Sequence, residues 1–284
     1  VGTNAPVKFP TYLGSADYAT LYNEAMINSN PGTDPSKLEL FTQDAINNYR
    51  MAKGDNSDGL GYNWDYFDYA FKPGMQQDYS LSIRGGSERA RYYVMANYYS
   101  QSGNYEHTNL TEHDTQARFK RYNFRANVDV DITKDFYVRV DLGARITDRH
   151  APGTTASQIV SLWNTLPPYL PITLPDNDNP DNEDYVLNNP YGMLYGDYKH
   201  RKNILGELSR TGYLVEKNTY LNGSFAIGHK LDFITKGLKV EGVFSYDASE
   251  GNWVRRELGN RSDGYMNFTK YATFQPADGS YGSY

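Results

Sequence analysis

The sequence predicts an all-β chain, a partial antiparallel transmembrane β-barrel with long extracellular loops that contain short helices. Three observations predict it: long runs of strict apolar/polar alternation, connections that alternate between short and long, and aromatic residues at the ends of the apolar stripes. The 284-residue chain also carries 27 Tyr, 12 Phe and 3 Trp, a content that favours strands over helices.

Alternation is cleanest in RYNFRANVDVDI, residues 121 to 132. Tyr122, Phe124, Ala126, Val128, Val130 and Ile132 share one face, and Arg121, Asn123, Arg125, Asn127, Asp129 and Asp131 share the other. After a turn at 133–135, Phe136, Val138, Val140, Leu142, Ala144 and Ile146 oppose Tyr137, Arg139, Asp141, Gly143, Arg145 and Thr147. A turn centred on Lys134 sets Asp129 across from Arg139 and Val128 across from Val140, so one register pairs charges on one face and aliphatics on the other. An earlier hairpin joins QDYSLSIR (77–84) to ARYYVMANYYSQ (90–101) through GGSER. A later pair is predicted at 213–250, with Leu221, Phe225 and Ile227 on one strand and Leu238, Val240, Phe244 and Tyr246 on the next.

A strand of twelve residues spans about 40 Å, which at a tilt near 40° gives about 30 Å of height, enough for an apolar band of about 25 Å. Soluble sandwich strands are about half that long. Connections run short (85–89), long (102–118), short (133–135), very long (148–212) and short (232–237), the turn-and-loop rhythm of outer-membrane barrels. Tyr122 and Phe124 near one end of the stripe and Phe136 near the other resemble interfacial girdles. The predicted organisation is a loop over 1–76 with two short helices, four strands over 77–147, a long loop over 148–212, two strands over 213–250, and a loop with the start of another strand over 251–284.

The helices are ADYATLYNEAM behind Ser15, QDAINNYRMA capped by Thr42, and SQIVSLWNTL over 157–166. Other classes recede on composition. The net charge of −6, with no basic stripe, argues against a nucleic-acid partner, and the absence of cysteine removes disulfides and thiolate metal sites. No run of eighteen apolar residues makes a transmembrane helix. The chain begins without Met, ends among turn residues, and offers too few strands to close a barrel, so it reads as an excerpt of something longer.

Several stretches carry a more specific signal. SADYATLYNEA (15–25), the pair Asn63 and Trp64, QQDYSLSIRGGSERARYYVMANYYSQSG (76–103) and RFKRYNFRANVDVDIT (118–133) resemble the SusC/RagA family of TonB-dependent outer-membrane transporters. The resemblance covers most of residues 10–150, and its most specific part is the GGS turn followed by a Tyr-rich strand and Gln-Ser-Gly. It implies a barrel of twenty-two strands around a plug, in the outer membrane of a Gram-negative bacterium. That barrel would import oligosaccharides or peptides with energy from TonB, beneath a SusD-like surface lipoprotein. TonB would engage an N-terminal region that this chain lacks.

No catalytic constellation, metal site or cofactor motif emerges, and the chain is read as no enzyme. The five His have no ligand-like spacing. The acidic run 176–184 lacks the glycine and terminal Glu of an EF-hand loop and reads as a solvated loop. Trp163, Tyr169, Tyr191 and Tyr195 are the candidate binding residues, as loop aromatics able to stack on a ligand or pack the loop onto its neighbours. Arg121, Arg125, Asp129, Arg139, Asp141 and Arg145 are expected to line the lumen. Tyr122, Phe124, Val128, Val130, Val138, Val140 and Leu142 are expected to meet outer-membrane lipid. The alternative is a secreted carbohydrate-binding or adhesin β-domain, which requires a second sheet over the even-numbered face of 122–146. A glycoside hydrolase would need a carboxylate pair that nothing in the sequence nominates.

Overall fold

The computed structural model describes residues 1–5, 11–108, 114–173, 194–195, 200 and 202–257. Seven strands form one antiparallel sheet in sequence order: β1 (Gly2–Asn4), β2 (Gly74–Gly86), β3 (Ala90–Ser102), β4 (Arg118–Asp131), β5 (Phe136–Pro152), β6 (Gly212–Lys230) and β7 (Lys239–Glu257). Asp129 pairs with Arg139 and Val128 with Val140, the register that the facing charges and aliphatics demand. The sheet is not closed.

Register extends the alternation across the whole sheet. One cross-strand row reads Leu81, Ala96, Phe124, Ala144, Leu221, Ala248, and another reads Tyr92, Val128, Val140, Phe225, Phe244. The row Tyr79, Tyr98, Tyr122 closes this band toward the long loops, with ring centroids 6.4 Å and 5.1 Å apart. The next row on the same face, Gln77, Ser100, Lys120, Asp148, Lys217 and Asn252, is entirely polar. Toward the short turns the band ends at Phe136, His229 and Val240. From Phe136 to Ile146 a strand rises about 33 Å, which at a tilt near 40° is about 25 Å of height. That is the thickness of a membrane barrel's apolar belt.

Nothing covers this face among the described residues. Leu81 is 64% exposed, Leu142 50% and Phe244 67%, so among the described residues no second sheet of the kind the adhesin alternative needs lies over it. A contiguous apolar surface of that extent marks contact with a membrane or a partner.

Buried apolar side chains lie elsewhere. Among the described residues, Ala226 is the one buried hydrophobic residue that belongs to the sheet; the others sit in the long connections. Those connections carry α1 (Ser15–Ser29), α2 (Gln43–Met51), α3 (Tyr66–Ala70), α4 (Ala156–Thr165) and α5 (Ile204–Ser209). Helices α3, α4 and α5 pool Tyr66, Ile159, Leu162, Trp163, Ile204 and Leu208 into one core, while Ala16, Ala19 and Ile46 join α1 to α2.

Local chemistry fixes each helix. Thr42 accepts from the Ala45 amide, and Thr155 forms a reciprocal capping box with Gln158. Helix α1 starts at Ser15 itself, and the Ser15 side chain does not cap it. Its amide donates instead to Asn63 Oδ1 at 2.8 Å, while its hydroxyl donates to the Tyr62 carbonyl. The cap thus arrives from another loop. Asn203 caps α5 through the Leu205 and Gly206 amides and also donates to the Ile172 and Tyr195 carbonyls.

Candidate functional site

The sheet's polar face is a ladder of neutral and ionic hydrogen bonds. Asn97 donates to Asp78 and Ser80 at 2.5 and 2.8 Å and accepts from Asn123 at 3.1 Å. Asn127 donates to one Asp141 oxygen, and Ser224 donates to the other at 3.3 Å. Arg139 donates to Asp129 at 3.1 Å, and the Tyr137 hydroxyl to Glu241 at 2.5 Å. The Arg139–Asp129 pair is nearly half exposed and is worth about 0.2–1 kcal/mol. The role of these bonds is to hold a wettable surface in fixed geometry.

Two arginines on this face bond differently. Arg121 lies over the Tyr99 ring at 5.2 Å, and Arg145 over the Tyr220 ring at 4.3 Å. Strands β4 and β5 thus place all six charged residues selected from the sequence on one face, and all seven residues assigned to lipid on the other. Sequence alternation missed the tyrosine partners, because the register of β3 and β6 supplies them.

At the long-loop end the polar face opens into a cleft of about 500 Å³ between the strand ends and the start of α4. Gln101, Phe119, Arg149 and Arg255 line it from the sheet, and Tyr105 and Thr154 from the loops. Arg149 donates to Glu216 at 2.5 Å. Behind the cleft, the Thr154 hydroxyl donates to the buried Glu207 carboxylate at 2.6 Å, which ties α5 to the top of β5.

The loop aromatics separate into two groups. Trp163 is 7% exposed and packs edge-on to Phe67 at 5.0 Å, inside the α3–α4–α5 core. It fills the loop's core and offers no surface for stacking. Tyr169 is half-buried among Tyr18, Phe41 and Tyr49, at 5.6, 5.1 and 6.2 Å. Tyr195 borders a small gap beside Tyr66 and Asn203. Tyr191, the acidic run 176–184 and the strand expected near Gly264 lie outside the described residues.

Burial sets the protonation of this helical region. It raises the Tyr69 phenol to about 12 and moves Tyr66 in the same direction, with Tyr195 and Tyr169 adding to the Tyr66 shift. Burial likewise lowers His107, whose ring stacks on Tyr69 at 4.3 Å. Burial opposes ionisation of Asp114, yet the Gln116 amide and the Arg118 guanidinium hold its carboxyl below the usual range.

A sheet with one apolar belt about 25 Å high, one polar face and alternating short and long connections is the wall of a transmembrane barrel. No family model matches the chain. TonB-dependent receptor P3 of Formosa agariphila is 27% identical over 216 residues, which covers 71% of this chain and 20% of that protein. Two solved structures share the fold at 17% identity. The RagAB peptide transporter aligns with a TM-score of 0.53 over 84% of this chain and 26% of its own. The RagAB peptide importer in its open-open state aligns with a TM-score of 0.55 over 87% of this chain and 26% of its own. The chain therefore spans about a fifth of the length of the curated relative it matches. The curated relative is named a TonB-dependent receptor and the solved structures share the fold, in agreement with the family that this chain's own motifs resemble.

Proposed function

We propose that this chain forms part of the barrel wall of an outer-membrane TonB-dependent importer, which takes up oligosaccharides or peptides with a SusD-like surface lipoprotein. The observation that carries the reading is the two-faced sheet, whose apolar belt ends in a tyrosine row on one side and Phe136 on the other. In this reading Tyr122, Phe124, Val128, Val130, Val138, Val140 and Leu142 meet lipid. Arg121, Arg125, Asp129, Arg139, Asp141 and Arg145 meet the aqueous lumen. The short turns lie on the periplasmic side, and the helical connections over 1–76 and 148–212 lie outside the cell.

The helical connections would then rest on the barrel mouth, where folded loops can meet cargo and a surface partner. TonB would act on parts of the whole protein that precede this wall. The relatives are named as a receptor and as peptide transporters, which supports uptake over catalysis. Deletion of the full-length gene tests the reading. The expected result is loss of growth on one class of oligomeric nutrient, glycan or peptide, with growth on its monomer unchanged, and recovery of the full-length protein in the detergent-extracted outer-membrane fraction. Recovery in the aqueous fraction without detergent would contradict it.

A further inference from the structure

Arg121, Arg125 and Arg145 form a cluster of positive charge in which no arginine is ion-paired among the described residues. Arg145 pairs with Asn123 across the β4–β5 ladder, and Arg121 and Arg125 sit two residues to either side of Asn123. They are therefore the diagonal neighbours of Arg145, at about 7–8 Å between backbones. The nearest acids of this face are held by other groups or stand farther off: Asp129 is engaged by Arg139, Asp78 by Asn97, and Asp141, a diagonal neighbour of Arg125, by Asn127 and Ser224, while Asp247 lies three strands across in the row of Arg125.

Three like charges this close repel one another unless an anion sits between them. Tyrosine rings hold two of them in place. Arg121 and Arg145 rest over Tyr99 and Tyr220, which leaves the edges of the planar guanidinium as hydrogen-bond forks. Arg121 Nε is buried with no acceptor, so its outer guanidinium nitrogens are the ones left to meet a ligand. Arg125 and Arg145 are exposed. Gly143, directly across from Arg125, contributes no side chain, and a Cβ there would come within 2.3 Å of Asn222 Oδ1. The centre of the cluster is thus floored by amides. Toward the long loops the same face leads into the cleft at the mouth, which Arg255 and the Glu216-paired Arg149 line.

We propose that Arg121, Arg125 and Arg145 form a lumenal station for carboxylate-bearing cargo, an acidic oligosaccharide or peptide that enters through the mouth cleft. The proposal rests on the transporter reading and adds the substrate's charge to it. Each arginine offers a bidentate fork to a carboxylate, and removing one fork is expected to weaken acidic binding by about tenfold or more.

The test uses the purified full-length transporter and two matched probe pairs, hexaglutamate with hexaglutamine and hexagalacturonate with maltohexaose, titrated by calorimetry. The expected result is tighter binding of the acidic member in at least one pair. R125Q and R145Q should each abolish most of that preference while leaving neutral-probe binding and melting temperature unchanged. R145K, which keeps charge but loses the fork, should recover only part of it. Equal binding within both pairs, absence of binding included, overturns the proposal, as does an acidic preference that survives the triple Gln variant. Equal binding with a lowered melting temperature in the triple variant would instead assign the arginines to an acidic segment of the same protein. A parent found outside the membrane would undo the transporter reading whatever the probes did; a membrane-embedded parent without acidic preference undoes this proposal alone.

Discussion

The sheet and the helical connections bury apolar surface in opposite ways. In the connections, Ile159, Leu194 and Leu208 are fully enclosed, and Trp163 is withdrawn from solvent although it is an indole on a loop. In the sheet, leucines and phenylalanines of the same size stand 40–70% exposed in ordered rows, and hydrogen bonds fill the other face. The connections behave as a small water-soluble protein with its own core. The strands behave as a structure whose core is the solvent outside it. Substitutions should therefore have effects that depend on the region, even when the side chains are alike.

The largest separation is expected from Leu208→Ala. Leu208 has no solvent exposure, so truncation should cost about 2–5 kcal/mol. Hydrogen exchange on the full-length protein should show that loss in α3, α4 and α5 with the strands unchanged. Val140→Arg should cost about 2–4 kcal/mol of folding into lipid vesicles, because Val140 sits at mid-height of the belt, whereas Asn127→Arg on the polar face should cost little. Equal costs would erase the distinction between the faces.

Alkali should loosen the helical region first. The folded phenols of Tyr66 and Tyr69 titrate above their ordinary value of 10.0, Tyr69 at about 12. Their contribution is intact below the unfolded value, near pH 10, and is lost as pH rises through the folded one. Tyrosinate absorbance and exchange in α3 should therefore change together between about pH 10 and 12. The smallest effect is expected from Thr155→Ala, which removes the capping box of α4 and should cost about 1 kcal/mol, visible as faster exchange at the start of that helix alone.

The same contrast explains what could be read in advance. Alternation over 121–147 revealed the strands, their faces and the Asp129–Arg139 register, because two unlike solvents impose a period of two on whatever lies between them. It lost β5 beyond Thr147 and β7 beyond Glu250. In DRHAP and GNWVRRE the strands continue to Pro152 and Glu257 about the polar row of Lys120 and Lys217, where the belt has ended and the pattern has no cause. Helices α3 and α5 escaped notice for another reason. Their five and six residues are too few to display a helical period, and Asp65 and Asn203 set them as caps together with tertiary burial. Face assignment of the arginines was legible residue by residue. Their ring partners were not, since Tyr99 and Tyr220 reach Arg121 and Arg145 from neighbouring strands.

This chain contains no cysteine, so once any cysteine in the rest of the full-length protein is replaced by Ser, single cysteines can be placed along β4 from residue 122 to 131, and the protein reconstituted in a lipid bilayer and spin-labelled. Accessibility to oxygen and to a water-soluble relaxing agent is the direct measurement of which solvent each face meets. The account predicts a period of two, with positions 122, 124, 126, 128 and 130 open to oxygen and shielded from water, and positions 123, 125, 127, 129 and 131 the reverse. Water access without alternation, or an even-numbered face as wet as the odd, would contradict it.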